Sequence, residues 1–117
     1  MSVCAFVNIR KPQDMTSSDA VVVVRGIMRR VTGERYKVGH MGTLDPMATG
    51  VLPVAIGKAT RLFDFLSEKR KTYVAEFVFG STTDTLDAWG TETNRDDKVV
   101  TKEQIEAVLP SLTGEID

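Results

Sequence analysis

Apolar positions recur with different periods along this chain, and the periods predict its elements. Val3 to Ile9 alternates loosely between apolar and polar residues, as a short strand does, and Lys11-Pro12 ends it because proline cannot donate to a ladder. Thr16, Ser17 and Ser18 then offer helix N-caps, with Asp19 favourably placed in the first turn of a helix running to about Val31. Arg29, Arg30 and then Gly33 mark its C-terminus, while the four valines from Val21 to Val24 weigh against the helix through their low propensity. Val51 to Gly57 reads as a buried strand, and Lys58 to Leu66 as a short helix with Leu62, Phe63 and Leu66 at helical spacing.

Tyr73 to Phe79 has the strongest strand composition in the chain, with Tyr73, Ala75, Phe77 and Phe79 on one face. After a polar loop rich in Thr and Asp, Thr101 opens a capping box with Gln104. Ile105, Val108 and Leu109 form the apolar face of the helix that follows, and Pro110 ends it. The order β-α-β-α-β-α mixes element types, so the expected class is α/β or α+β. No internal repeat, low-complexity segment or linker interrupts the 117 residues, a length that fits one domain.

Composition narrows the class of protein. The 42% apolar and 26% charged fractions suit a globular chain with a real core. The longest uncharged apolar run, Ala20 to Val24, is far short of the ~20 residues a bilayer span requires, and no cleavable apolar leader follows Met1, so a cytosolic protein without a membrane partner is expected. A lone Cys4 cannot form an internal disulfide, and with a lone His40 it cannot build a four-ligand zinc site, so metal chemistry is not expected. The net charge of -1 conceals a division: Met1 to Lys71 carries twelve Lys/Arg against six Asp/Glu, and Thr72 to Asp117 carries three against ten. A basic half suits a polyanion such as nucleic acid, although solvated faces packed against an acidic half would have the same composition.

The chemically unusual segment is Lys37 to Gly50, K-V-G-H-M-G-T-L-D-P-M-A-T-G, with three glycines, the only histidine and a carboxylate within fourteen residues. By pattern it is neither helix nor strand. Gly39, Gly42 and Gly50 allow close backbone approach or positive φ, and Pro46 pushes Asp45 toward an extended or turn conformation. Such a loop can hold one carboxylate rigidly, and an ordinary Asp-Pro turn accounts for the same residues. Gly39-His40-Met41-Gly42 also matches the G-x-x-G loop of KH RNA-binding domains, but that loop joins two helices and the flanks here do not read as helices. A hydrolase triad of His40, Asp45 and a serine such as Ser81 lacks the G-x-S-x-G elbow.

Over Gly39 to Pro53 the run G-H-M-G-T-L-D-P-M-A-T-G-V-L-P resembles the signature of the TruB family of pseudouridine synthases, which convert a uridine in the T-arm of tRNA. Three further pieces resemble the family in the right order. K-P-Q-D-M-T-S from Lys11 to Ser17 is similar to its K-P-x-G-x-T-S, R-K-T-Y-V-A-E-F holds the strand tyrosine Tyr73, and T-D-T-L-D-A-W-G from Thr83 to Gly90 is similar to its T-D-T-x-D-x-x-G. M-A-T-G at Met47 to Gly50 is closer to the bacterial stand-alone branch than to the guide-RNA-dependent one.

The resemblance implies a mixed sheet flanked by helices, residues 1–117 being the N-terminal portion of the catalytic domain, and it implies that Asp45 is the catalytic aspartate. Pseudouridine formation breaks the bond from sugar C1′ to uracil N1, turns the base over and rejoins it through C5, so it needs no redox partner, energy input or cofactor. An ionised aspartate can attack C1′ or take a proton from the sugar, and burial would require a nearby cation to keep it ionised. Tyr73 is implied to stack against the uracil and to help move its proton. His40 is implied to help fill the space the uridine leaves on unstacking, a step costing a few kcal/mol. Lys11 would contact phosphate or buttress the catalytic loop. Asp84 and Asp87 receive no role, since turn and cap duties account for them.

Two departures stand out. Asp14 replaces the glycine of K-P-x-G-x-T-S, placing a side chain and a charge where the family has neither. After Thr113 to Ile116 the family continues to a strand motif resembling K-G-T-Y-I-R, whose arginine pairs with the catalytic aspartate, and to a C-terminal RNA-binding extension. The expectation is therefore an N-terminal fragment with little activity alone and an exposed apolar sheet edge that favours self-association. The alternative reading is a non-catalytic RNA-binding module using the basic half.

Overall fold

The computed structural model describes residues 2–66 and 70–116, which form two compact units, 1–72 and 73–117, divided close to where the charge changes sign. The class is mixed α+β.

The first unit is a three-stranded antiparallel sheet with one long helix. Strand β1 (Ala5–Lys11) places Ala5, Val7, Ile9 and Lys11 on the inner face and Phe6, Asn8 and Arg10 on the outer one. Helix α1 (Ser17–Thr32) starts at Thr16, whose hydroxyl accepts from the Asp19 N–H while the Asp19 carboxylate accepts from the Thr16 N–H, a complete capping box. The Thr16 N–H, and after it the Thr16 hydroxyl, hold the Asp19 carboxyl below its ordinary range. The helix ends at Gly33 in the left-handed conformation. Tertiary packing overrides the poor propensity of the valines: Ala20, Val21 and Val24 close on Val38, Leu52, Val54 and Ile56.

Strand β2 (Val38–His40) and strand β3 (Gly50–Ile56) complete the sheet in the order β1-β3-β2, with β3 central and Ile9 opposite Leu52. The Lys37 to Gly50 segment, patternless in sequence, thus begins as a strand, because three residues are ordered by pairing with β3 and not by their own period. Beyond β3 the helical stretch splits into a 3-10 turn (Gly57–Leu62) and a single α-turn, α2 (Phe63–Leu66).

The second unit contains a short hairpin, β4 (Ser81–Thr83) with β5 (Glu92–Arg95), and helix α3 (Lys102–Val108), whose Thr101–Gln104 capping box forms as expected. Pro110 does not end the chain's helical course; it sits in the first turn of a 3-10 segment (Leu109–Leu112), where its missing N–H costs nothing. The strand expected over Tyr73 to Phe79 is absent. The segment pairs with no described strand, and Val74 is 102% and Phe77 77% exposed, so its apolar alternation has no ladder partner in this unit.

Asp14 explains its own departure from glycine: its φ is +67°, in the left-handed region that favours glycine and that aspartate tolerates better than most residues. Local geometry is kept, at the cost of backbone strain. Asp14→Gly should therefore raise stability by about 0.5–1 kcal/mol, the relief of the left-handed strain less the added freedom of the unfolded chain, read from the midpoint of urea unfolding. A lower midpoint would show that the Asp14 side chain stabilises the turn.

Candidate active site

The loop between β2 and β3 is held by atoms outside itself. It leaves the sheet at Met41, whose N–H donates to the Pro53 carbonyl at 2.8 Å, and it turns at Gly42, whose φ of +85° requires glycine. Gly39 is needed for a different reason: a Cβ there would lie 2.8 Å from the Phe63 ring. Gly50 meets neither condition, since a Cβ would make ordinary contact with Leu44. Because the loop joins two strands, the KH-like reading of Gly39 to Gly42 is excluded in this fold.

Four successive carbonyls of the loop each accept a hydrogen bond. Thr43 receives the Lys71 ammonium, Leu44 the Ser17 hydroxyl at 3.0 Å, Asp45 the Ala48 N–H at 3.0 Å, and Pro46 both the Asp14 N–H at 2.8 Å and the Lys11 ammonium at 3.3 Å. The Leu44 N–H also donates to the Ser17 hydroxyl, at 2.9 Å. Both shoulders of Asp45 are therefore gripped by the segment from Lys11 to Ser17, and the Leu44 side chain packs on the core.

Lys11 is the central grip. It is 0% exposed, and its ammonium donates to the carbonyls of Pro12 at 2.8 Å, Met15 at 2.7 Å and Pro46 at 3.3 Å. A lysine ammonium has three donors, so none is left for a phosphate. The phosphate-contact role expected as one alternative for Lys11 is corrected on this ground, and the buttress alternative is the one the geometry fits. Its parity with Ala5, Val7 and Ile9 on β1 was a sequence signal that would have placed it inward. Ser17, read from sequence only as a possible cap, lies on the buried face of α1 with Ala20, Val21 and Val24, a helical spacing also visible in the sequence.

Asp45 itself is exposed, and among the described residues its carboxylate has no hydrogen-bond donor and no cation within ion-pair distance. Among the described residues, Asp45 is thus not a buried carboxylate next to a cation. His40 ends β2, half-buried, opposite Val54 in the register, and its Nδ1 is buried with no hydrogen-bond partner among the described residues. Asp45, His40 and Lys11 belong to the first unit; Tyr73, half-exposed at 50%, belongs to the second.

In the second unit the Thr83 to Gly90 loop satisfies its own polar groups. Asp87 accepts from the Thr85 hydroxyl at 2.7 Å and the Trp89 N–H at 2.9 Å, which together hold its carboxyl below the ordinary range, the hydroxyl more strongly. Asp84 accepts from the Thr91 N–H at 2.8 Å. Both aspartates do turn work, and Leu86 is carried at a φ of +62°.

Among the described residues no helix is long and apolar enough to cross a membrane. The family described as TruB family pseudouridylate synthase (N terminal domain) matches residues 29–117. Similar proteins include tRNA pseudouridine synthase B of Syntrophomonas wolfei, 44% identical over 109 residues, covering 93% of this chain and 35% of the relative. Those of Bacillus cereus (strain ATCC 10987) and Bacillus anthracis are each 43% identical over 111 residues, covering 93% of this chain and 34% of theirs. The chain spans about a third of the length of these relatives.

If Lys11 is a grip, Lys11→Met should destabilise the chain by about 2–4 kcal/mol in urea unfolding, because three carbonyls lose a charged donor. The salt dependence of any RNA binding should be unchanged, whereas loss of a phosphate contact would lower the slope by about one.

Proposed function

Because the chain belongs to the TruB family of pseudouridylate synthases, matching its N-terminal domain over residues 29–117, we propose that it carries the reactive carboxylate, Asp45, for isomerising a uridine in the T-arm of tRNA to pseudouridine. The observation that supports this best is the loop itself: every carbonyl from Thr43 to Pro46 is taken, while the Asp45 carboxylate faces solvent with no hydrogen-bond partner among the described residues. An Asp-Pro turn with no chemistry needs no such grip.

Asp45 acts ionised, attacking C1′ or removing a sugar proton as the N1 glycosidic bond breaks. The base turns over, C5 bonds to C1′, and the C5 hydrogen leaves as a proton while N1 is reprotonated. No cofactor is required. His40 fills the space vacated by the flipped uridine and Tyr73 stacks on the uracil. Lys11 positions the loop. The basic residues of the first unit attract the RNA backbone, and the setting is cytoplasmic, where tRNA is modified. Among the described residues no cation stands beside the Asp45 carboxylate, so on this reading one supplied in trans stabilises it and the developing charge, and the chain alone turns over little RNA.

Tritium release from a T-arm stem-loop carrying 5-tritiated uridine tests this, with the chain in excess. Release is expected to be slight for the chain alone, to rise at least ~10-fold with millimolar methylguanidinium at fixed ionic strength, and to fall ~100-fold or more in Asp45→Asn. Release that survives the substitution would place the chemistry elsewhere. Salt-sensitive stem-loop binding, unchanged in Asp45→Asn and without release under any condition, would make the chain a non-catalytic RNA-binding module.

The unpaired Tyr73 to Phe79 segment supports self-association of this chain. Light scattering on a sizing column should give a mass above the 12.9 kDa of one copy at tens of micromolar, and a clean monomer would rule it out.

A further inference from the structure

We propose that Ser17 is a positioning residue for Asp45, an inference that rests on Asp45 being the reactive carboxylate. Ser17 is 2% exposed, on the face of α1 that also buries Ala20, Val21 and Val24. A hydroxyl so deeply buried needs partners, and helix α1 offers it none to make: the cap is Thr16, whose hydroxyl accepts from the Asp19 N–H at 3.0 Å. Both bonds of Ser17 instead cross to one residue of the loop, donating to the Leu44 carbonyl at 3.0 Å and accepting from the Leu44 N–H at 2.9 Å.

That residue sits immediately before Asp45. The Leu44 carbonyl belongs to the peptide that ends at the Asp45 nitrogen, so pinning it restricts φ of Asp45. On the other side the Pro46 ring restricts ψ of Asp45, and the Pro46 carbonyl is held by the Asp14 N–H and the Lys11 ammonium. With both torsions limited, the direction of the Asp45 Cα–Cβ bond is set by the core. A serine is suited to the task because its single oxygen both donates and accepts, and it does so without the methyl group that threonine would add at a buried helix start. Misplacement of a reactive group by about 1 Å is enough to lose roughly 100-fold in rate, so this grip bears on chemistry as well as on folding.

The test compares Ser17→Ala with Thr16→Ala, which removes the true cap of the same helix turn and leaves Leu44 untouched. Ser17→Ala should lower the backbone order parameter of Asp45 from about 0.85 toward 0.6. It should also cut guanidinium-stimulated tritium release at least ~10-fold while the stem-loop Kd stays within about twofold. Thr16→Ala should move neither reading. Equal losses in the two variants, or no change in either, would overturn the proposal by reducing Ser17 to a stabiliser of the helix start. If Ser17→Ala does not fold, hydrogen exchange of the unaltered chain decides: the Leu44 amide should be protected at least ~100-fold although it lies in a loop, and an unprotected amide would overturn the grip. Absence of release from the unaltered chain would count against the catalytic reading of Asp45, while the order parameter would still decide whether Ser17 holds it.

Discussion

The arrangement of the first unit depends on a buried ammonium. Stripping Lys11 of water is costly, and the position is tolerable only when the carbonyls of Pro12, Met15 and Pro46 all converge on it. Two of those carbonyls lie in the turn leading into α1 and the third lies in the loop after β2. The charge therefore cannot be accommodated by the turn alone or by the loop alone. Strand pairing supplies the rest: β1 brings Lys11 opposite Gly50 at the end of β3, where the loop returns to the sheet. Sheet register, turn and loop are satisfied together or not at all.

The same coupling explains how an exposed residue can be rigidly placed. Asp45 has no packing of its own, yet the peptides on both sides are tied to buried groups, Ser17 and Lys11, and Leu44 reaches the core beside them. Rigidity is conveyed through the backbone and the side chain is left facing solvent. For the reaction proposed above, preorganisation of this kind would cost nothing at the reactive moment because it has been met on folding.

Much of this was legible in the sequence wherever the signal was local. The N-cap cluster at Thr16 to Ser18, the capping box at Thr101 and the glycine stop at Gly33 were read from neighbouring residues, and β1 and β3 from their apolar content. What escaped was set by partners far along the chain. Val38–His40 is a strand because β3 lies beside it, and Tyr73 to Phe79 is not one because no described strand does. The Asp14 departure was visible as a mismatch, but its meaning required the torsion angle. Lys11 and Ser17 were visible by parity and by helical spacing; a charged and a hydroxyl side chain at inward positions were the signals, and they pointed to Asp45 only once the loop was seen against them.

Since every grip on the loop takes hold of main-chain oxygen or nitrogen, the clamp does not read the identities of Thr43 or Asp45. Drift in those side chains would leave the clamp closed, whereas drift at Lys11 or Ser17 would open it. The clamp also sets an order on the ribosome: the gripping residues emerge long before the loop they hold, so Lys11 has only the nearby carbonyls of Pro12 and Met15 within reach until β3 has left the tunnel to bring Pro46 to it. Synthesis from the N-terminus thus delivers the lock first and its key some thirty-five residues later.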